Sequence, residues 1–249
     1  MATLKETDLD PDNLLWLADS RASDSQLLWI SGCSFSHAIG VTPSQRYGQL
    51  VADTLKLPAS FLTCPGSSIQ WASDQLLRSD IRANDIILWG ITGINRFISY
   101  KNKIEINVLG ELLDRKDYYL GELRRIEEKS CINDTYLRFE ESFKLLSKTD
   151  VKILQYALVS DDRLLYAIKE IFQVINYCRQ IGAKLILFRF DISSKEFDTV
   201  LLKYLSSLDN YIHLSPISDY GTDNEHPGPI THDIWANEIL KFMKRKKYI

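Results

Sequence analysis

The sequence predicts an α/β protein, a three-layer α/β/α sandwich around a mostly parallel sheet of about five strands. Three observations carry that expectation. Apolar runs at 27–32, 85–90 and 184–188 lack inside–outside alternation, the pattern of strands buried on both faces of a parallel sheet. The segments between them carry apolar residues at helical spacing. Strands and helices then take turns along most of the chain, as expected when helices cover both sides of a parallel sheet.

Residues 11–19 predict a short amphipathic helix, with Pro11 early and Leu14, Leu15 and Leu17 apolar. The strand at 27–32 follows. Thr42-Pro43 reads as an N-cap with proline at the first helical position, and Tyr47, Leu50, Val51 and Leu55 give that helix its apolar face before Leu57-Pro58 ends it. A short apolar run at 61–64 leads into Pro65-Gly66-Ser67-Ser68, where Ser67 or Ser68 is expected to cap a helix carrying Ile69, Ala72 and Leu76. After the strand at 85–90, a long helix is predicted from about 160 to 181. Its stripe is Leu164, Ile168, Ile171, Phe172, Ile175 and Cys178, and Gly182 closes it. A strand at 184–188, a helical stretch at 197–207, a fifth strand at 211–214 and a closing helix from Pro229 or Thr231 to about Lys244 complete the pattern. Only the stretch from about 98 to 150 breaks it. A period-two segment (Ile104, Ile106, Val108) and then a charged helical region read as an insertion, a hairpin plus helices, within a single domain spanning 1–249.

Bulk properties exclude several classes. A 45% hydrophobic share is enough for a full core, while a net charge of −3 leaves no basic stripe for nucleic acid. The one basic cluster, Lys241, Lys244, Arg245, Lys246 and Lys247, reads as the solvated last turns of a helix, where cations suit the macrodipole. No run approaches the ~18 apolar residues of a membrane span. The acidic start lacks a secretory apolar core, so the expectation is no signal peptide and a cytoplasmic protein. The cysteines at 33, 64, 131 and 178 form no CxxC pair, which argues against a zinc site or disulfide framework. No metal or organic cofactor is expected.

The residues that could do chemistry fall after the predicted strands. Ser34 follows the first in Gly32-Cys33-Ser34-Phe35-Ser36, Gly66 the second, Thr92 to Asn95 the third, and Asp223 and His226 the fifth. Ligands of open α/β sheets bind outside the C-terminal strand ends, so residues distant in sequence converge on one edge. Ser36 is expected to point elsewhere in its turn, His37 to line the site or the surface, and His232 to be structural. Asp223, Glu225, His226 and His232 have no spacing that matches a known metal-ligand pattern.

This arrangement resembles the SGNH/GDSL serine hydrolases, whose fold is a flavodoxin-like α/β/α sandwich. The resemblance covers about 27 to 240. Ser34 stands for the family's serine block, Gly66 for its glycine block, Gly93-Ile94-Asn95 for its GxN block and Asp223-Asn224-Glu225-His226 for its DxxH pair. Cys33 replaces the aspartate of the usual first block. If Gly90 begins the third block, Thr92 takes the asparagine position; if Gly93 begins it, Asn95 does, and Asn95 is preferred. The resemblance implies a serine hydrolase that cleaves carboxylic esters, with Ser34 as nucleophile, His226 as base, Asp223 orienting it, and Gly66 and Asn95 in the oxyanion hole. Small-molecule or carbohydrate esters would be its substrates, an O-acetyl sugar among them. The alternative is a catalytically weak or inactive binding or assembly protein on the same fold.

Overall fold

The computed structural model describes residues 25–94, 96–101, 104–109, 162–190 and 196–249. The helix expected at 11–19, Asn95 and the charged part of the 98–150 insertion lie outside them.

Five strands form one parallel sheet: β1 (Leu28–Gly32), β2 (Ala59–Thr63), β3 (Ile86–Ile91), β6 (Lys184–Arg189) and β7 (Tyr211–His213). Their spatial order is β2-β1-β3-β6-β7. Chain direction across the sheet therefore reverses at β1, and the crevice between the ends of β1 and β3 is the topological switch point where such sheets bind ligands. The period-two segment forms a separate antiparallel hairpin of β4 (Arg96–Lys101) and β5 (Ile104–Leu109).

Alternation along the strands builds two cores. Leu28, Ile30, Ile86, Leu88, Ile186 and Phe188 face α2 (Tyr47–Leu55) and α6 (Pro229–Arg245), meeting Tyr47, Val51, Trp235, Ile239 and Phe242. Trp29, Ile87, Trp89, Leu185 and Leu187 face the other way, onto α3 (Ile69–Arg78), α4 (Asp162–Ile181) and α5 (Glu196–Ser206). Each of the buried apolar side chains contributes ~1.5–3 kcal/mol relative to exposure. The expected three layers are thus present.

Most element boundaries follow the local signals. Ser68 Oγ accepts the Trp71 amide at 3.0 Å and caps α3. Gly182 ends α4 at φ +77°, and Pro229 opens α6 at its first turn. The exception is the helix expected from Thr42-Pro43. There the chain makes a 3-10 turn, Pro43–Gln45, closed by a Thr42–Gln45 capping box. Arg46 is extended (φ −66°, ψ 138°), so the α-helix begins only at Tyr47. Proline pre-sets φ for one turn but cannot choose between helix types. Among the described residues, no helix is long and apolar enough to cross a membrane.

Candidate active site

Ser34 opens α1 (Ser34–His37), a single helical turn directly beyond β1. Cys33 caps that turn without a side-chain bond and is fully buried, while Ser34 is 7% exposed. The turn closes at Ala38, which takes the left-handed conformation while its amide bonds to the Ser34 carbonyl. Helical amides in a first turn have no intrahelical acceptor.

Asp223 and His226 sit in a loop that is fixed at both ends. Tyr220 and Pro227 form a β-bridge, and the Gly221 amide bonds to the His226 carbonyl at 2.8 Å. Asp219 accepts from the amides of Ile230 and Thr231 at 3.1 and 2.7 Å, tying the loop to the start of α6. Within the loop, Asp223 Oδ1 accepts the amides of Glu225 and His226, both at 3.1 Å. Its Oδ2 accepts from His226 Nδ1 at 2.6 Å. Burial acts to raise the Asp223 carboxyl, but the two amides and the His226 ring outweigh it and hold the group below the usual carboxylate range. A carboxylate only accepts, so this bond puts a proton on His226 Nδ1, and in the neutral tautomer Nε2 is then the nitrogen that carries the lone pair.

The loop packs directly on the serine turn. The Thr222 amide bonds to the Gly40 carbonyl at 2.9 Å. A Cβ on Gly40 would stand 2.8 Å from Asp223 Oδ1. Phe35, the residue after Ser34, meets the His226 ring edge-on at 5.7 Å between centroids. The structure therefore brings the Ser34 turn and the Asp223–His226 pair together, although no hydrogen bond joins Ser34 to His226. Catalytic hydrogen bonds are often long or poorly aligned before substrate binds.

The second turn reaches the same edge. The Cys64 amide and the Ser67 hydroxyl both donate to the Gly32 carbonyl, each at 3.1 Å. Gly66 has φ +75°, and nothing lies within 4 Å of where its Cβ would stand, so its backbone borders open space. Thr92 lies just beyond β3, but it is 1% exposed and its hydroxyl is buried without a hydrogen-bond partner. Thr92 thus presents no hydroxyl to an incoming ligand. Asn95 lies outside the described residues.

Three further side chains lie near the serine turn. His37 is half-buried with Nδ1 3.1 Å from Thr63 Oγ1. Burial and the Arg46 guanidinium lower its pKa, opposed by the bond to Thr63. His232 is fully buried, and its Nδ1 accepts the Tyr47 amide at 3.3 Å; it is structural, as expected from the sequence. Ser36 is also fully buried, and the Tyr47 hydroxyl donates to it at 2.9 Å. Among the described residues, no group of three or more His, Cys, Asp and Glu side chains is placed to hold a metal.

No family model and no curated protein matches the sequence. Solved structures do resemble the fold. An acylhydrolase assignment belongs to a protein of Bacteroides fragilis NCTC 9343 that superposes with a TM-score of 0.52 at 7% identity, over 97% of this chain and 99% of its own. An acetyl xylan esterase from the rumen bacterium Butyrivibrio proteoclasticus gives 0.50 at 12% identity, over 92% of this chain and 66% of its own. A carbohydrate esterase with divergent catalytic and non-catalytic binding functions at its active site gives 0.50 at 14% identity, over 92% and 68%. This chain thus spans about two thirds of the length of the two esterases. These neighbours share the architecture described above, a parallel five-stranded sheet with helices on both faces.

Proposed function

We propose that the protein is an ester hydrolase of the SGNH/GDSL type. The observation that carries the reading is the His226–Asp223 pair, seated by its loop against the turn that begins with Ser34. Ser34 Oγ attacks the ester carbonyl carbon while its proton passes to His226 Nε2. Asp223 holds the tautomer and stabilises the imidazolium. The tetrahedral intermediate collapses as that proton moves to the departing alkoxide, which leaves as the alcohol. Water, deprotonated by the same nitrogen, then releases the acid and restores Ser34. The amides of Ser34 and Gly66 and the side chain of Asn95 are the donors assigned to the oxyanion. Buried Thr92 is the weaker alternative, because its hydroxyl has no open side. Removing one such donor typically costs ~10²–10³ in rate. Carbohydrate O-acetyl esters are the favoured substrates, since two fold neighbours are carbohydrate esterases.

The test is hydrolysis of p-nitrophenyl acetate and longer esters by the wild type and by Ser34→Ala, with a fluorophosphonate probe mapped by mass spectrometry. Activity lost in the variant, with the label on Ser34, supports the hydrolase. An inactive, unlabelled wild type that still binds acetylated sugars would instead mark a binding protein on this fold.

A further inference from the structure

We propose that Ser36, held by Tyr47, is the positioning residue that fixes the rotation of α1 and therefore the direction of Ser34. This role rests on the hydrolase reading above. Helix α1 is only four residues long, and its N-cap side chain forms no capping bond. One isolated turn does not hold itself in place, so tertiary contacts must orient it.

The sheet provides the seat. Leu28, Ile30 and Gly32 point to the α2/α6 face of β1, alongside Ile86, Leu88 and Gly90 of β3, in the register Leu28↔Ile86 and Ile30↔Leu88. At the last position of this row both strands carry glycine. A Cβ on Gly32 would overlap the Ser36 hydroxyl, and one on Gly90 would stand 2.9 Å from it and 2.6 Å from the Phe190 ring. Two neighbouring glycines therefore form a notch between strand ends, and the Ser36 side chain fills it.

The notch is also polar enough for a hydroxyl. Ser36 Oγ accepts from the Tyr47 hydroxyl at 2.9 Å and donates to the Ser31 carbonyl at 3.5 Å, the long limit of such a bond. Tyr47 is itself fixed. Its amide bonds to His232, and its ring meets Phe188 edge-on at 5.5 Å. Burial raises the Tyr47 phenol far above its ordinary range, so it remains a neutral donor. The series Tyr47, Ser36, Ser31 thus joins α2, α1 and β1.

Successive residues of a helix project about 100° apart, so fixing Ser36 also fixes Ser34 and Phe35. Phe35 packs against His226, Phe190 and Trp235. A rotation of α1 by about 15° would displace an oxygen ~4 Å from its axis by roughly 1 Å, and an error of that size can cost ~10²-fold in rate.

The experiment compares Ser36→Ala, Tyr47→Phe and the double variant by kcat and KM on p-nitrophenyl acetate, by the rate of fluorophosphonate labelling at Ser34, and by thermal midpoint. Val174→Ala, in the core of the opposite face, serves as a destabilised control. The expected result is a kcat about 10- to 100-fold lower in Ser36→Ala, with KM within about twofold and labelling slowed in parallel. Tyr47→Phe preserves the ring and loses about tenfold in kcat, and the double variant is no worse than Ser36→Ala alone. Should Ser36→Ala fail to fold, Tyr47→Phe carries the test. Variants that lower the midpoint but leave kcat and labelling no more affected than Val174→Ala overturn the role. A wild type that neither hydrolyses nor labels removes the hydrolase reading and this role together, a result distinct from an active enzyme indifferent to Ser36 and Tyr47.

Discussion

Asp85 and Asp223 make the same set of bonds at opposite ends of the sheet. Asp85, fully buried beside the starts of β1 and β3, accepts the amides of Leu27 and Arg82 and the indole Nε1 of Trp29, each at 2.9 Å. Asp223, beyond the strand ends and 29% exposed, accepts two amides and the Nδ1 of His226. What separates them is the ring. An indole only donates, so it offers no basic nitrogen beyond its bond to Asp85 and serves to hold the fold. An imidazole that donates through Nδ1 still offers a basic Nε2. Two amides and a carboxylate make either a clamp or half of a proton shuttle, depending on which ring completes them.

The widest separation expected from this comparison is between activity and stability. Asp223→Asn should lower kcat by about 10⁴-fold, because the carboxamide favours the tautomer with Nε2 protonated. The thermal midpoint should move by only a few degrees. Asp85→Ala should leave a buried indole and two part-buried amides without this acceptor, costing about 3–5 kcal/mol. That lowers the midpoint by roughly 10 °C, while kcat of the folded fraction stays unchanged. Paired ester kinetics and thermal melts decide the matter. Equal kcat losses at the two sites would erase the distinction.

A third ring sharpens the comparison. His232 takes the opposite part in its hydrogen bond, accepting the Tyr47 amide through Nδ1. Burial outweighs the pull of Asp219 and pushes its pKa down to about 4 from 6.5. The unfolded chain therefore binds this proton first as pH falls. The associated stability is complete above about pH 6.5 and drains away between 6.5 and 4, a loss of about 3 kcal/mol. The lowered carboxyls of Asp219 and Asp223 act in the same direction, but only where carboxylates titrate, near and below 3.8. Denaturant titrations at several pH values should show the decline in the wild type and a flatter profile over 4–6.5 in His232→Gln. An unchanged slope in the variant would assign the decline to other groups.

What the sequence conveyed and what it withheld follow from the range of the interactions. Uninterrupted apolar runs, the Ser68 cap and the Gly182 terminus are local, and the three-layer sandwich with its five parallel strands could be read from them. The positions of Ser34, Gly66 and the Asp223–His226 pair past the strand ends were legible for the same reason, since each of the three lies in a segment marked by its own local motif. The start of α2 differs from the expectation because Thr42-Pro43 signals a first turn without specifying its kind, and the extended Arg46 separates that turn from the helix. The seat of Ser36 was illegible in a deeper sense. It exists only because the register of β1 against β3 sets Gly32 beside Gly90, and Tyr47 reaches it from another helix. No window along the chain contains that notch.

Gly66 gives the smallest effect and tests how far the open end of the sheet depends on side chains. Its φ of +75° disfavours any Cβ, while nothing lies within 4 Å to obstruct one. Gly66→Ala should therefore cost about 1 kcal/mol of backbone strain without a clash. Alanine keeps the amide assigned to the oxyanion, so kcat should fall by less than about tenfold, and KM should change little. A loss of ~10²–10³ in kcat would mean that the strain is relieved by swinging the amide away, the cost of a missing oxyanion donor. The stability reading separates the two cases. An amide held in place leaves the full strain in the folded state, whereas a relaxed turn recovers most of it and the melting midpoint returns toward that of the wild type as the rate collapses.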